Sequence, residues 1–212
     1  MNKRFLPVIH VESFRQTYHN TQLALDAGAD GVFIINHGSS AESLIDVADR
    51  LLNKLPLLWL GVNCLGRKAD EILRIIPTDV KGLWSDGNND KVRDVKALLH
   101  SGIEYFGGVA FKYQRPVKDY AEAAKLATAY MDVVTTSGPG TGVAAPISKI
   151  MAMKKSIGSH RLGIASGITP LNIIDYLPYV DDFLVATGIS LDFHNLDFDK
   201  TQQVADSIHG YK

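Results

Sequence analysis

Several residues of this chain have side chains suited to proton transfer, carbonyl chemistry or anion binding, and each follows a short apolar run. Lys112 comes directly after GGVAF (107–111). A lysine in that place serves as a Schiff-base nucleophile, a phosphate ligand or a general acid. The equal alternative is a solvated lysine at the start of a loop. His10 ends FLPVIH and His37 follows VFIIN. Imidazole titrates near neutral pH, so both are candidates for acid/base work, and a histidine held only by a structural hydrogen bond is as good a reading. Asn63 ends LGVN and is placed to orient a substrate hydroxyl. Asp86, with Asp90 nearby, is able to bind a metal or a hydroxyl. The segment SDGNND (85–90) also reads as an ordinary turn followed by a helix cap, and the turn is the reading we favour.

A second set of residues is small and rich in glycine. ASGIT (165–169) and ATGIS (186–190) share the pattern Ala-[Ser/Thr]-Gly-Ile-[Thr/Ser], and TSGPGTG (136–142) precedes them. Glycine lets backbone N–H groups approach an anion, because no Cβ intervenes. Ser137, Gly138, Gly140, Thr141, Gly142, Ser166, Gly167, Thr187 and Gly188 are therefore the candidate phosphate-binding residues. Taken singly, each glycine is better explained as a turn. Three such endings on three successive runs favour a ligand. The chain has no HExxH, paired CxxC, Walker loop or GxSxG. No metal ligand set is assigned, and the sequence names no cofactor.

These residues need elements to position them. Eight apolar runs recur: 5–11, 31–36, 57–63, 82–85, 105–111, 132–136, 162–166 and 182–187. They are apolar nearly throughout, as strands buried on both faces must be. The segments between them have helical spacing. TYHNTQLALDAGA sets Tyr18, Leu23 and Leu25 near one face and stops at Gly28. SSAESLIDVADRLLNKL opens with Ser40 and carries a broad apolar stripe. YAEAAKLATAY behaves the same way, as does PISKIMAMKKSIG, with Pro146 near its start. TPLNIIDYL supplies Thr169 as N-cap and Pro170 as first helical residue. Eight β-α units on one core predict a (β/α)8 TIM barrel, with an open doubly wound sheet as the alternative. GLWS is the least secure strand. In such a barrel the active face lies at the C-terminal strand ends, where the candidate residues fall.

Composition bounds the rest. The chain has 212 residues, 46% of them hydrophobic and 21% charged, with a net charge of -1. That fits a single domain spanning 1–212, and without a basic run there is no electrostatic case for nucleic acid. The single cysteine, Cys64, fits a reducing compartment and has no sequence partner that marks it as a nucleophile. The N-terminal apolar run is too short for a signal peptide or a membrane span, so a cytoplasmic protein with no transmembrane segment is expected.

The chain resembles the BtpA/SgcQ family. The likeness is most specific over residues 104–190. GVAFKYQRPVKDYAEAAKLATAYMDVVTTSGPGTG resembles the family's strand ending in lysine, helix rich in Ala and Glu, and strand closed by Ser/Thr-Gly and Thr-Gly. LGIASGITPLNIIDYLPYVDDFLVATGIS resembles its Ser-Gly-[Ile/Val]-Thr-Pro-x-Asn segment and the turn into the last strand. VIHV, AGADGVFIINHG and GVNCL agree more thinly. Two stretches depart: ESFRQTYHN replaces a Pro-rich loop after the first strand, and GLWSDG replaces a longer apolar run. The resemblance implies a TIM barrel related to phosphate-binding barrels such as phosphoribosylanthranilate isomerase. It carries over Asn63, Lys112, Ser137, Gly138, Thr141, Gly142, Ser166, Gly167 and Thr187. At the strand positions that perform the isomerase reaction the chain lacks the Cys and Asp pair, so that activity is not implied. Two functions are expected. The first is an enzyme acting on a phosphorylated sugar or nucleotide, an isomerase, lyase or transferase, with Lys112, His10, His37 and Asn63 as its catalytic set. The second is a non-enzymatic assembly factor that uses the barrel as a scaffold. Barrels of this kind commonly self-associate, so a homo-oligomer is expected in either case.

Overall fold

The computed structural model describes residues 2–86, Val95 and 102–211. Gly87 and Asp90 lie outside the described residues. Eight strands run in chain order: β1 Arg4–His10, β2 Val32–Ile35, β3 Leu60–Asn63, β4 Gly82–Ser85, β5 Glu104–Gly108, β6 Val133–Ser137, β7 Arg161–Ala165 and β8 Asp182–Val185. Each pairs in parallel with the next, and β8 returns to β1 with Arg4 opposite Asp182 and Phe5 opposite Phe183. That last pairing closes the barrel and excludes the open doubly wound sheet. The described helices are α1 Phe14–Asp26, α2 Ala41–Lys54, α3 Ala69–Ile72, α4 Tyr120–Ala127, α5 Ile147–Ile157, α6 Ile173–Tyr176 and α7 Phe198–His209, with a 3-10 turn at Thr187–Ile189. None of them is long and apolar enough to cross a membrane.

The two faces of each strand serve two cores. Outward residues such as Phe5, Ile9, Ile34, Val62 and Ile164 join the helices in one buried cluster. Inward residues, among them Leu6, Val8, Phe33, Trp84, Phe106 and Leu184, form a second cluster inside the barrel. A Cβ on Gly61 would lie 2.2 Å from the Phe33 ring, so a glycine there is what admits the ring to the barrel. The N-terminal mouth is closed by ions. Asp182 is fully buried and accepts hydrogen bonds from Arg4 and from Arg161 Nε at 2.7 Å, and Arg4 Nη1 reaches Glu104 at 2.6 Å. The Arg4 guanidinium also lies 5.4 Å from the Trp59 ring. This plug fixes the barrel from below and leaves the other mouth open.

Several element bounds differ from the sequence expectation. The third run starts late, since Leu57 is 98% exposed and β3 begins at Leu60. The fifth run was expected to hold strand conformation through Phe111. Instead β5 ends at Gly108, and Ala110 adopts a left-handed φ of 49° that no strand accommodates. Lys112 thus sits on a loop and not at a strand end. In α1 the buried stripe is Thr17, Asn20, Thr21 and Ala24, while Tyr18, Leu23 and Leu25 are only half-buried. Thr169 does not cap a helix that begins at Pro170. Its N–H is bonded to Asn172 Oδ1, and α6 starts only at Ile173. Ser40 does cap α2, its side chain accepting from Ser43 N–H, and β4 pairs on both edges.

Candidate functional site

At the C-terminal mouth the strand ends surround a cavity of about 460 Å³. His10, His37, Asp86, Lys112, Ser166 and Thr187 contribute its polar wall, and Trp84 and Phe193 are among its apolar lining. The volume is within the range of small-molecule sites.

Lys112 reaches across the β6 and β7 sides. Its Nζ donates to Ser166 Oγ at 3.2 Å and to Thr141 Oγ1 at 3.4 Å. Its own N–H is held by Ser137 Oγ at 2.8 Å, and that hydroxyl donates to Gly138 O. Both neighbours of this arrangement have unusual backbones, since Tyr113 and Ser166 have φ of 65° and 72°. Left-handed conformations in residues with side chains are costly and persist where the surroundings over-determine them.

Three glycines of these loops, Gly138, Gly167 and Gly188, are explained first by packing. A Cβ on Gly138 would lie 2.0 Å from Val143 O, one on Gly167 2.2 Å from Ala144 N, and one on Gly188 1.8 Å from Ile168 O. The loops after β6, β7 and β8 therefore rest directly on one another, backbone to backbone. This close stacking brings Ser166, Gly167, Thr187 and Gly188 to the cavity edge together.

On the opposite wall His10 stacks on Phe193 with ring centroids 4.2 Å apart, and His37 lies 5.3 Å from His10. His10 Nδ1 is 2.8 Å from Phe193 O. A carbonyl only accepts, so Nδ1 carries the proton and the neutral ring presents Nε2 as a base. Burial lowers the pKa of His10, and the Phe193 carbonyl partly offsets that. Burial also lowers His37, with Lys112 and His194 adding to it. Both rings are thereby held in the form that accepts a proton. The loop carrying Phe193 is anchored by α1: Asn20 Nδ2 donates to His194 O at 2.8 Å, and Asn20 Oδ1 accepts from Leu196 N–H at 2.9 Å. This is why α1 buries Asn20.

The turn read in SDGNND falls on residues 87–90, outside the described residues, while Asp86 itself is described and faces the cavity. Its side chain lies on the cavity wall, and Oδ1 accepts from Asn63 Nδ2 at 3.1 Å. Burial pushes its pKa up to about 6, against the opposing pull of Lys112 and Asn63. A carboxyl so placed exchanges a proton near neutral pH.

Of the residues singled out from sequence, the cavity brings together His10, His37, Lys112, Thr141, Ser166, Gly167, Thr187 and Gly188. Asn63 is buried behind it and acts on Asp86. Ser137 and Gly138 line a separate, smaller cavity. Gly140 and Gly142 are not on the wall. The Cys64 thiol is buried and its pKa is raised by that burial, which makes it inert. Phe193, Trp84 and Tyr113 were not identified from sequence. For Phe193 the one signal was an aromatic residue in the otherwise polar loop DFHN. Among the described residues no group of His, Cys, Asp or Glu is arranged to hold a metal ion.

The architecture is shared with solved enzymes. Phosphoribosyl anthranilate isomerase from Thermus Thermophilus superposes with a TM-score of 0.73 at 15% identity, covering 99% of this chain and 100% of that one. The chain is a TIM barrel. Phosphoribosyl anthranilate isomerase from Thermotoga maritima gives 0.70 at 16% identity, with 98% and 100% covered. Tryptophan synthase from Mycobacterium tuberculosis gives 0.72 at 12%, with 98% and 93% covered. At such identities the likeness is one of fold, which does not carry a reaction with it. No protein-family model matches the chain, and no curated protein matches it.

Proposed function

We propose that this barrel is an enzyme of the BtpA/SgcQ kind that binds a phosphorylated sugar or nucleotide in the C-terminal cavity. The observation that carries the reading is the division of one cavity into two chemically different walls. One wall offers Ser166, Gly167, Thr187 and Gly188 beside the Lys112 ammonium, which suits a phosphate. The other offers Asp86, which exchanges a proton near neutral pH, and two histidines that burial holds in the proton-accepting form. A phosphorylated carbonyl compound fits both. Its phosphate lies by the β7 and β8 loops, and its carbonyl oxygen turns to Lys112. His10 Nε2 takes a proton from the adjacent carbon, and Asp86 moves a proton at the oxygen. Asn63 holds Asp86 in place and does not itself touch the substrate. His37 lies close enough to share the task of His10. The motif resemblance over residues 104–190 supports the kinship.

The test is a set of nuclear magnetic resonance time courses in D2O with phosphorylated aldoses and ketoses, ribose 5-phosphate and ribulose 5-phosphate first. The reading expects deuterium to enter at the carbon beside the carbonyl, or product to form, and expects both to disappear in His10→Gln and Lys112→Met. Exchange that persists unchanged in both variants would contradict the assigned roles.

A further inference from the structure

A buried lysine needs a physical reason, and the barrel has one outside the site. Lys149, on the first turn of α5, is 7% exposed. Its Nζ donates to Ala110 O at 2.6 Å and to Ser137 O at 2.7 Å, and the Tyr120 ring lies 5.3 Å away. Among the described residues no carboxylate pairs with it. Burial pulls its pKa down to about 8. An apolar side chain of the same length would carry no such desolvation penalty.

What Lys149 grips is the main chain under Lys112. Ala110 lies two residues before Lys112 and has φ 49°, and Tyr113 directly after it has φ 65°. The lysine is therefore bracketed by two left-handed residues, a conformation a free loop would not keep. Ser137 is the other contact, and its Oγ holds the Lys112 N–H at 2.8 Å. Gln114 secures the loop from the far side. Its Oε1 accepts from Phe111 N–H at 2.9 Å, and its Nε2 donates to Gly108 O at 3.0 Å and to Asp86 O at 2.7 Å. Lys149 is not on the wall of the large cavity. It lines a cavity of about 290 Å³ behind the loop, together with Tyr120, Pro116 and Ser137.

We propose that Lys149 is a positioning residue: by tying Ala110 O to Ser137 O it fixes the loop that presents the Lys112 amine to Ser166 and Thr141. The proposal rests on the reading above for the role of Lys112, and it concerns how that amine is held. Without Lys149 the Ala110 and Ser137 carbonyls lose this donor, the latter within the buried interior, and the strained loop relaxes. Lys112 Nζ then leaves its two hydroxyl partners.

The experiment measures trace acetylation of the Lys112 amine from neutral to alkaline pH, quantified by mass spectrometry of the intact, folded chain. Lys54, exposed at the end of α2, is the internal control. Wild type, Lys149→Met and Lys149→Arg are compared, the last keeping donors for both carbonyls. In Lys149→Met the Lys112 acetylation rate should rise several-fold, with Lys54 unchanged and Lys149→Arg restoring the wild-type rate. Binding of ribose 5-phosphate should weaken about tenfold in Lys149→Met, on the scale of a lost charge-assisted hydrogen bond. A folded Lys149→Met protein with the wild-type Lys112 profile would overturn the proposal. If that variant does not fold, Lys149→Gln, whose donor is too short to reach both carbonyls, makes the same comparison. Failure of the wild type to bind any phosphorylated sugar or nucleotide would remove the proposed function. The acetylation profile needs no ligand and judges Lys149 by itself.

Discussion

Replacing Asp86 by Asn should stabilise the protein at neutral pH and leave it unchanged in acid. The carboxyl titrates at about 6 in the folded chain instead of 3.8. Between those values the unfolded chain has released the proton and the folded chain retains it. Stability therefore falls as pH rises through that window, and above it the full cost persists. A displacement of that size corresponds to about 3 kcal/mol. The amide keeps an oxygen for Asn63 Nδ2, now 3.1 Å from Oδ1, so the variant removes the charge without removing the hydrogen bond. Among the described residues the second carboxylate oxygen has no hydrogen-bond partner, and the amide NH2 that replaces it meets the water of the open cavity. Urea unfolding of both proteins, followed by tryptophan fluorescence, gives the comparison. Near pH 7.5 Asp86→Asn should be more stable by about 2–3 kcal/mol, and the difference should vanish near the ordinary carboxylate pKa. An equal difference at both pH values, or a variant less stable at pH 7.5, would show that Asp86 is not held protonated by burial and would refute the reasoning.

Asp182→Ala should cost about 3–5 kcal/mol in the same assay, because it strands Arg4 and Arg161 in the closed N-terminal mouth; a cost under 1 kcal/mol would mean the plug is dispensable. Gly188→Ala should destabilise by about 3 kcal/mol and abolish ligand binding, since its Cβ would stand 1.8 Å from Ile168 O and drive the last two loops apart. A variant that binds as wild type would show that these loops separate freely. Phe193→Ala should raise the pKa of His10 towards the ordinary imidazole value, because the ring stacked at 4.2 Å contributes to the burial that lowers it. A proton resonance titration of the His10 ring reads this directly, and a downward shift would contradict the cause.

The barrel was legible because its strands are buried on both faces, so continuous runs such as VFII and DFLV have no other reading among alternating helices. Ser40 betrayed its helix start by residue type. Other features depend on contacts remote in sequence. Asn20 falls on a helix face that a hydrophobic pattern ignores, yet it anchors a loop more than 170 residues away. Asp86 stands in a segment with turn composition, and only the closed barrel shows that it points inward with Trp84 one pleat below. Gly138, Gly167 and Gly188 stand out in sequence, but the reason the structure gives for them is one that residue type cannot reveal. Their missing side chains admit neighbouring backbone, which sequence does not distinguish from a ligand. Lys149 looked like one of several helix lysines, and its burial follows from helix α5 packing its first turn against the end of β6 and the loop after β5.

The most direct test of the central claim is a titration of the intact protein with phosphate, ribose 5-phosphate, phosphoribosyl pyrophosphate and AMP, read as a thermal shift. A ligand present at about a hundred times its dissociation constant stabilises by roughly 2.7 kcal/mol. Thr187→Glu is the control, since it sets a negative charge at the exposed edge of the proposed phosphate wall without crowding the stacked loops. The account predicts a shift with at least one phosphorylated compound and its loss in Thr187→Glu. No shift with any of the four, or an equal shift in the variant, would contradict it.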